Sequence, residues 1–128
     1  MSTAVTHGIM VSARARFEPA HSDPKASRHI FSYRITISNR GAETVQLLRR
    51  HWIINDSLHG RREVEGPGVV GETPVLAPGE EFTYSSACDL RGAFGRMEGT
   101  YLMQRMADGS EFRVDIPVIQ LSSAWASN

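Results

Sequence analysis

The stretch Gly66-Pro67-Gly68-Val69-Val70-Gly71, GPGVVG, decides how this chain is read. Its spacing is G-x-G-x-x-G, the pattern with which dinucleotide-binding α/β proteins hold a pyrophosphate. In those proteins the glycines leave a strand and open a helix, whose N-terminal amides and dipole carry the phosphates. Here the chain continues as ETPVLAPGEEF, where Pro74 and Pro78 interrupt any helix and Pro78-Gly79 marks a turn. An acidic residue is needed about twenty positions on, at the end of a second parallel strand. Asp89 has a suitable distance but falls in a turn-like stretch, and no GxxxxGK is present. GPGVVG therefore reads as a glycine-rich connection between strands, its glycines allowing sharp bends and close backbone approach. A small nest of amides that binds an anion without a helix stays open beside that reading.

Outward from the loop, the dominant period is two. Ile9, Val11, Ala13, Ala15 and Phe17 alternate with Met10, Ser12, Arg14 and Arg16, and Phe31, Tyr33, Ile35 and Ile37 alternate with Ser32, Arg34, Thr36 and Ser38. Each set is a strand with one buried face, and the two are expected to pair as a hairpin across the proline-containing loop EPAHSDPKASRH. NRGAE at 39–43 is a turn signal. Thr44 to Asn55 changes parity: Val45, Leu47, His51 and Ile53 share one side, Leu48, Trp52 and Ile54 the other. Either both faces are covered or a bulge shifts the register near Arg49-Arg50. A turn at 56–60, a short polar strand at Arg61–Glu65, and strands at Glu81–Ser86, Arg96–Met106 and Glu111–Val118 follow, the last two joined by a hairpin at Asp108-Gly109. No window of ten residues carries a helical period. Seven or eight short strands make an all-β chain, an antiparallel β-sandwich of immunoglobulin or fibronectin type III character, with a small closed barrel as the alternative. One domain spans 1–128, with flexible ends expected at 1–7 and 122–128 and Trp125 either docking or fraying.

Fourteen Lys and Arg balance fourteen Asp and Glu, so the chain lacks the broad basic field of a nucleic-acid binder or of a protein drawn to anionic membranes. No segment has the length or hydropathy of a membrane span or a secretory leader, which implies a cytoplasmic protein. The single cysteine, Cys88, can form no internal disulfide and reads as a small apolar residue.

Catalytic chemistry is not signalled. There is no G-x-S-x-G elbow, Ser85-Ser86 has no nucleophile context, and Glu80-Glu81 cannot share a substrate because neighbours on a strand point apart. The histidines (His7, His21, His29, His51, His59) form no H-x-H or H-x-x-x-H pair, so neither metal nor cofactor is expected, although Asp56 and Asp89 are available as oxygen ligands. Arg50-His51-Trp52 carries two readings. Arg50 and Trp52 share one strand face, either packing the core and its edge or presenting the two residue types commonest as interface anchors.

Taken together, VQLLRRHWIINDSLHG, EVEGPGVVGETPVLAPGEEFTYSSACDL and GRMEGTYLMQ resemble the bacterial ApaG family, over about Ile9 to Leu121. The resemblance implies a fold similar to fibronectin type III and a genetic link to cobalt resistance and magnesium efflux. Related domains in eukaryotic F-box proteins and in a polymerase-delta-interacting protein look like recognition modules. The expectation is thus a non-enzymatic protein-interaction module, contacting a protein partner through Gly66, Pro67, Gly68, Val69, Val70 and Gly71 with Arg50, His51 and Trp52. Pairing of an edge strand with a second copy is a further expectation. A phosphate or pyrophosphate binder acting through GPGVVG, with Arg50, Arg61 or Arg62 as its cation, and a divalent-metal carrier are the alternatives.

Overall fold

The computed structural model describes residues 1–123. Nine strands follow in chain order: β1 (Ser2–Thr6), β2 (Ile9–Phe17), β3 (His29–Asn39), β4 (Val45–Asp56), β5 (Gly60–Pro67), β6 (Val75–Leu76), β7 (Glu81–Leu90), β8 (Phe94–Arg105) and β9 (Glu111–Ser122). All pairings are antiparallel. A sheet in the order β1-β2-β3-β7 faces a sheet in the order β5-β4-β8-β9, in which β6 also pairs with β4. The alternating residues of β2 and β3 face inward as their period requires. Ile9, Val11, Phe31, Ile35 and Ile37 meet Leu47, Ile54, Met97, Tyr101 and Met103 of the opposite sheet in a single core.

Ser2–Thr6, part of an end expected to be flexible, instead forms β1, in register from Ser2 opposite Ala13 to Thr6 opposite Ile9. His7 and Gly8 turn that hairpin with φ of 49° and 79°, the twist a two-residue connection needs. At the other end Ser122 closes β9 and Ser123 is buried, while Trp125 lies outside the described residues.

The parity change in β4 is a bulge. Its register with β8 shifts between Leu47 and Arg49, leaving Leu48 as the extra residue. Val45 and Leu47 are buried before it, Trp52, Ile54 and Asp56 after it. In β9, Pro117 lies in the corresponding irregularity against β8, between the pairs Ile119–Met97 and Ile116–Gly99, where its missing N–H costs the ladder nothing.

Two buried polar side chains organise the ends. Asn39 donates through Nδ2 to the carbonyls of Glu43 (2.7 Å) and Leu76 (2.9 Å) and accepts from the Gly41 amide (3.0 Å). NRGAE is therefore a crossing between sheets. Asp56 accepts from the amides of Arg91 (2.8 Å), Gly92 (2.9 Å), Leu58 (3.0 Å) and His59 (3.3 Å). That carboxylate ties the β4–β5 turn to the β7–β8 connection. Burial pushes its ionisation up, but the four amides outweigh it and hold the carboxyl below its ordinary value.

The two sides of the sandwich differ. On one, β1 lies against β9 and the Asp115 amide donates to Thr6 Oγ1 (3.1 Å). On the other, the edge strands β5 and β7 face each other with a cleft between them.

Candidate functional site

GPGVVG is an excursion of an edge strand. β5 runs along β4 as far as Pro67 opposite Arg49, and β6 resumes opposite Gln46 and Val45. The residues between them leave the sheet where β4 bulges. The Gly68 amide donates to the Leu48 carbonyl (2.8 Å) and the Leu47 amide to the Pro74 carbonyl (3.0 Å). At the apex Val69 and Glu72 exchange amide–carbonyl bonds of 2.8 and 2.9 Å across Val70-Gly71. Both apex residues have positive φ, 44° and 81°, as in the primed turns of two-residue hairpins. Gly68 also has positive φ (61°), and a Cβ there would run into the Glu72 carbonyl. Val69 is buried in the core, whereas Pro67, Val70 and Gly71 are exposed.

Arg50 governs the polarity of this loop. Its guanidinium lies over Gly66, 3.2 Å from where a Cβ would stand, and Nη1 donates to the carbonyls of Pro67 (2.9 Å) and Gly68 (3.1 Å). The loop thus turns carbonyls toward a cation, while the amides of Gly68, Val69 and Glu72 are already engaged. It opens no helix and belongs to no βαβ unit. That is the opposite polarity to a phosphate cradle.

Of the three adjacent β4 residues put forward as contacts, Trp52 belongs to the core. It is 3 % exposed, with its ring edge-on to Tyr33 at 5.7 Å. The indole fills the core, as its packing reading has it, and also lines the cleft between β5 and β7. His51 points to the outer face, Nε2 2.8 Å from Glu63 Oε1. There Arg49 meets Glu65 (3.5 Å), Arg61 meets Glu63 (3.7 Å) and Arg96 meets Glu98 (3.7 Å). Exposed pairs of this kind add little stability but balance each other's charge.

Arg50 continues into the cleft between β5 and β7, about 300 Å³ in volume, where Tyr33, Trp52, Arg62, Ser86 and Cys88 join it. Arg62 crosses from β5 to β7. Its Nη2 donates to the Asp89 carbonyl (2.6 Å) and carboxylate (3.3 Å) and stands 3.7 Å from Cys88 Sγ. Asp89, read from sequence as a turn residue, lies within β7. Burial pushes the Cys88 thiol up to about 11, against the pull of Arg62, so it is protonated at neutral pH and a poor nucleophile. Burial likewise raises Tyr33, whose phenol is tied to Ser86. Deeper still, the Tyr84 and Tyr101 hydroxyls meet at 2.6 Å and join the two sheets, both held protonated above the usual phenol range by burial. The cleft therefore offers two guanidiniums, one exposed carboxylate and neutral hydroxyls over an aromatic floor. Such a lining suits hydrogen-bond acceptors and anionic groups. The free backbone edge of β7 runs beside it.

Sequence reasoning identified Arg50 and named Arg62 as a cation for the loop, but placed neither in this cleft. Tyr33, Ser86 and Cys88 come from strands whose adjacency only the fold determines. The available signal was Arg50 sharing an inward face with Trp52. As for metals, no three His, Cys, Asp or Glu side chains gather to hold an ion among the described residues. Asp56 is surrounded by amides and Asp89 is engaged by Arg62. No helix among the described residues is long and apolar enough to cross a membrane.

Comparison with known proteins gives a consistent result. The family model described as the ApaG domain matches residues 19–105. Protein ApaG of Brucella anthropi is 49 % identical over 121 residues, covering 94 % of this chain and 92 % of that protein. Protein ApaG of Bradyrhizobium diazoefficiens is 47 % identical over 123 residues, covering 96 % and 94 %. A crystal structure of an ApaA protein from Bordetella pertussis superposes with a TM-score of 0.86 at 40 % identity, covering 91 % of this chain and 94 % of that one.

Proposed function

The chain belongs to the ApaG domain family, and from that premise we propose that it is a non-catalytic recognition module that receives an extended segment of a partner protein. The observation that carries this reading is the open side of the sandwich. Two edge strands, each paired on one side only, flank a cleft lined by Arg50, Arg62, Tyr33 and Trp52. An extended segment adds main-chain hydrogen bonds to an edge, and side-chain hollows beside that edge supply selectivity. The cleft holds two guanidiniums against the single carboxylate of Asp89, which favours an acidic segment. The glycine loop is tied to the cleft through Arg50, which donates to the Pro67 and Gly68 carbonyls. The link to cobalt resistance and magnesium efflux then runs through the partner.

A photo-crosslinking amino acid placed at Ala87, exposed on β7, tests this in the host cell, with Thr100 on the outer face of the other sheet as control. A discrete adduct from Ala87 alone, lost on Arg62→Glu, is the expected result. No adduct, or the same adducts from both positions, would remove the proposal.

A further inference from the structure

We propose that the outer face of the β1-β2-β3-β7 sheet carries a phosphate-binding site built on Arg14 and Arg34, separate from both the cleft and the glycine loop. Arg14 of β2 and Arg34 of β3 are direct cross-strand partners, and both are exposed. Directly opposed residues of an antiparallel pair hold their Cβ atoms about 4.5–5.5 Å apart, and like charges at that distance repel. Neither arginine has a carboxylate partner among the described residues. Of the nearby acids, Glu18 pairs with Arg16 (3.4 Å) and accepts from Ser32 (2.6 Å), while Glu81 accepts from Ser38 (3.0 Å) and forms no ion pair with either arginine. The contrast with the other sheet is direct, because there Arg49, Arg61 and Arg96 each stand beside a glutamate.

The surroundings suit an oxyanion. Arg14 and Arg34 line a hollow of about 320 Å³ together with Ser12, Thr36, Glu81 and Thr83, two cations to one carboxylate among these side chains. The Thr36 and Thr83 hydroxyls lie 2.9 Å apart, so one donates to the other and the second proton is free for a ligand. One flanking row, Ser12 and Thr36, is short, and the other pairs Ser32 with Arg16, whose guanidinium turns to Glu18. A guanidinium fork binds tetrahedral oxyanions through paired N–H donors. Two opposed forks with a hydroxyl donor match the several oxygens and double charge of phosphate better than a carboxylate, which one fork satisfies. The ligand is therefore phosphate, free or as a small monoester, and its binding neutralises the repulsion that the sheet otherwise carries.

The test compares the intact chain with the double variant Arg14→Gln/Arg34→Gln, using inorganic phosphate and O-phosphoserine against sodium chloride at matched ionic strength. Either phosphate should raise the melting temperature of the parent by several degrees, the scale of a ligand well above its Kd in a domain this size. It should also move the side-chain Nε–H resonances of Arg14 and Arg34 more than those of the exposed Arg40 and Arg113. Equal responses to the two probes identify the free anion as ligand, and a stronger response to O-phosphoserine identifies the ester. The double variant should lose the phosphate increment while melting, without phosphate, no lower than the parent. Stabilisation equal to that by chloride, shifts spread evenly over the exposed arginines, or an increment retained by the double variant would overturn the site.

Discussion

Val70 holds a φ of 44°, a conformation that a β-branched side chain seldom adopts, and does so with its side chain 53 % exposed. The strain comes from the turn: Val69 and Glu72 are bonded across two residues, and both of those must take positive φ. Val70→Gly should relieve roughly 1 kcal/mol and raise the melting temperature by about 4 °C. The neighbouring glycines divide by their surroundings. Gly71 has open space where a Cβ would stand, so Gly71→Ala costs only the left-handed backbone, about 1 kcal/mol. At Gly68 the same change adds a collision with the Glu72 carbonyl, and about 3 kcal/mol is expected from a total of only about 5–15. Calorimetric melts of the three variants check the order. A Gly68→Ala melt equal to the parent's would show a loop free to relax and would end the structural account of GPGVVG.

The strands were legible where polarity alternated cleanly and turn residues bounded the run, as in β2 and β3. They were not where a strand is two residues long, as in β6, or where Ser2–Thr6 gains order only from pairing with β2. The β4 bulge announced itself through parity, because Leu47 and Trp52 cannot both face inward on a regular strand. Asp56 gave no such sign: an acid at a strand end reads as solvated until the β7–β8 connection is placed over it. Its carboxyl ionises below the ordinary value, so the stability it supplies is complete above about pH 4 and is lost as pH falls through the folded value. Asp56→Ala should cost about 3 kcal/mol at pH 7, because amides are left without an acceptor. It should also flatten the acid limb of stability, as urea titrations across pH would show. Between the sheets, Tyr84→Phe strands the buried Tyr101 hydroxyl, and Tyr101→Phe does the reverse. The double variant should cost less than the sum of the singles, by about 1 kcal/mol, in a denaturation cycle.

At the scale of the molecule, Tyr33, Tyr84 and Tyr101 are all held protonated above the usual phenol range. The unfolded chain releases those protons near pH 10, so stability is intact below that value and falls as pH rises beyond it. Replacing Tyr84 and Tyr101 together with Phe should blunt the alkaline loss, and urea midpoints that fall as steeply as the parent's between pH 9 and about 11 would contradict it. The cleft escaped sequence reading for a reason at this same scale, since its side chains become neighbours only once β5 and β7 are known to be the facing edges. That openness also sets the hazard of the fold. β5 carries Arg61, Arg62, Glu63 and Glu65 along its length, charges that discourage a second sheet from docking edge to edge. β7 has no charge between Glu81 and Asp89, only FTYSSAC, seven residues beside an unpaired ladder. This is the composition from which cross-β aggregates nucleate. Warming or concentrating the protein should bring it out of solution through this strand, and a lysine at the exposed Thr83 or Ser85 should keep it dissolved.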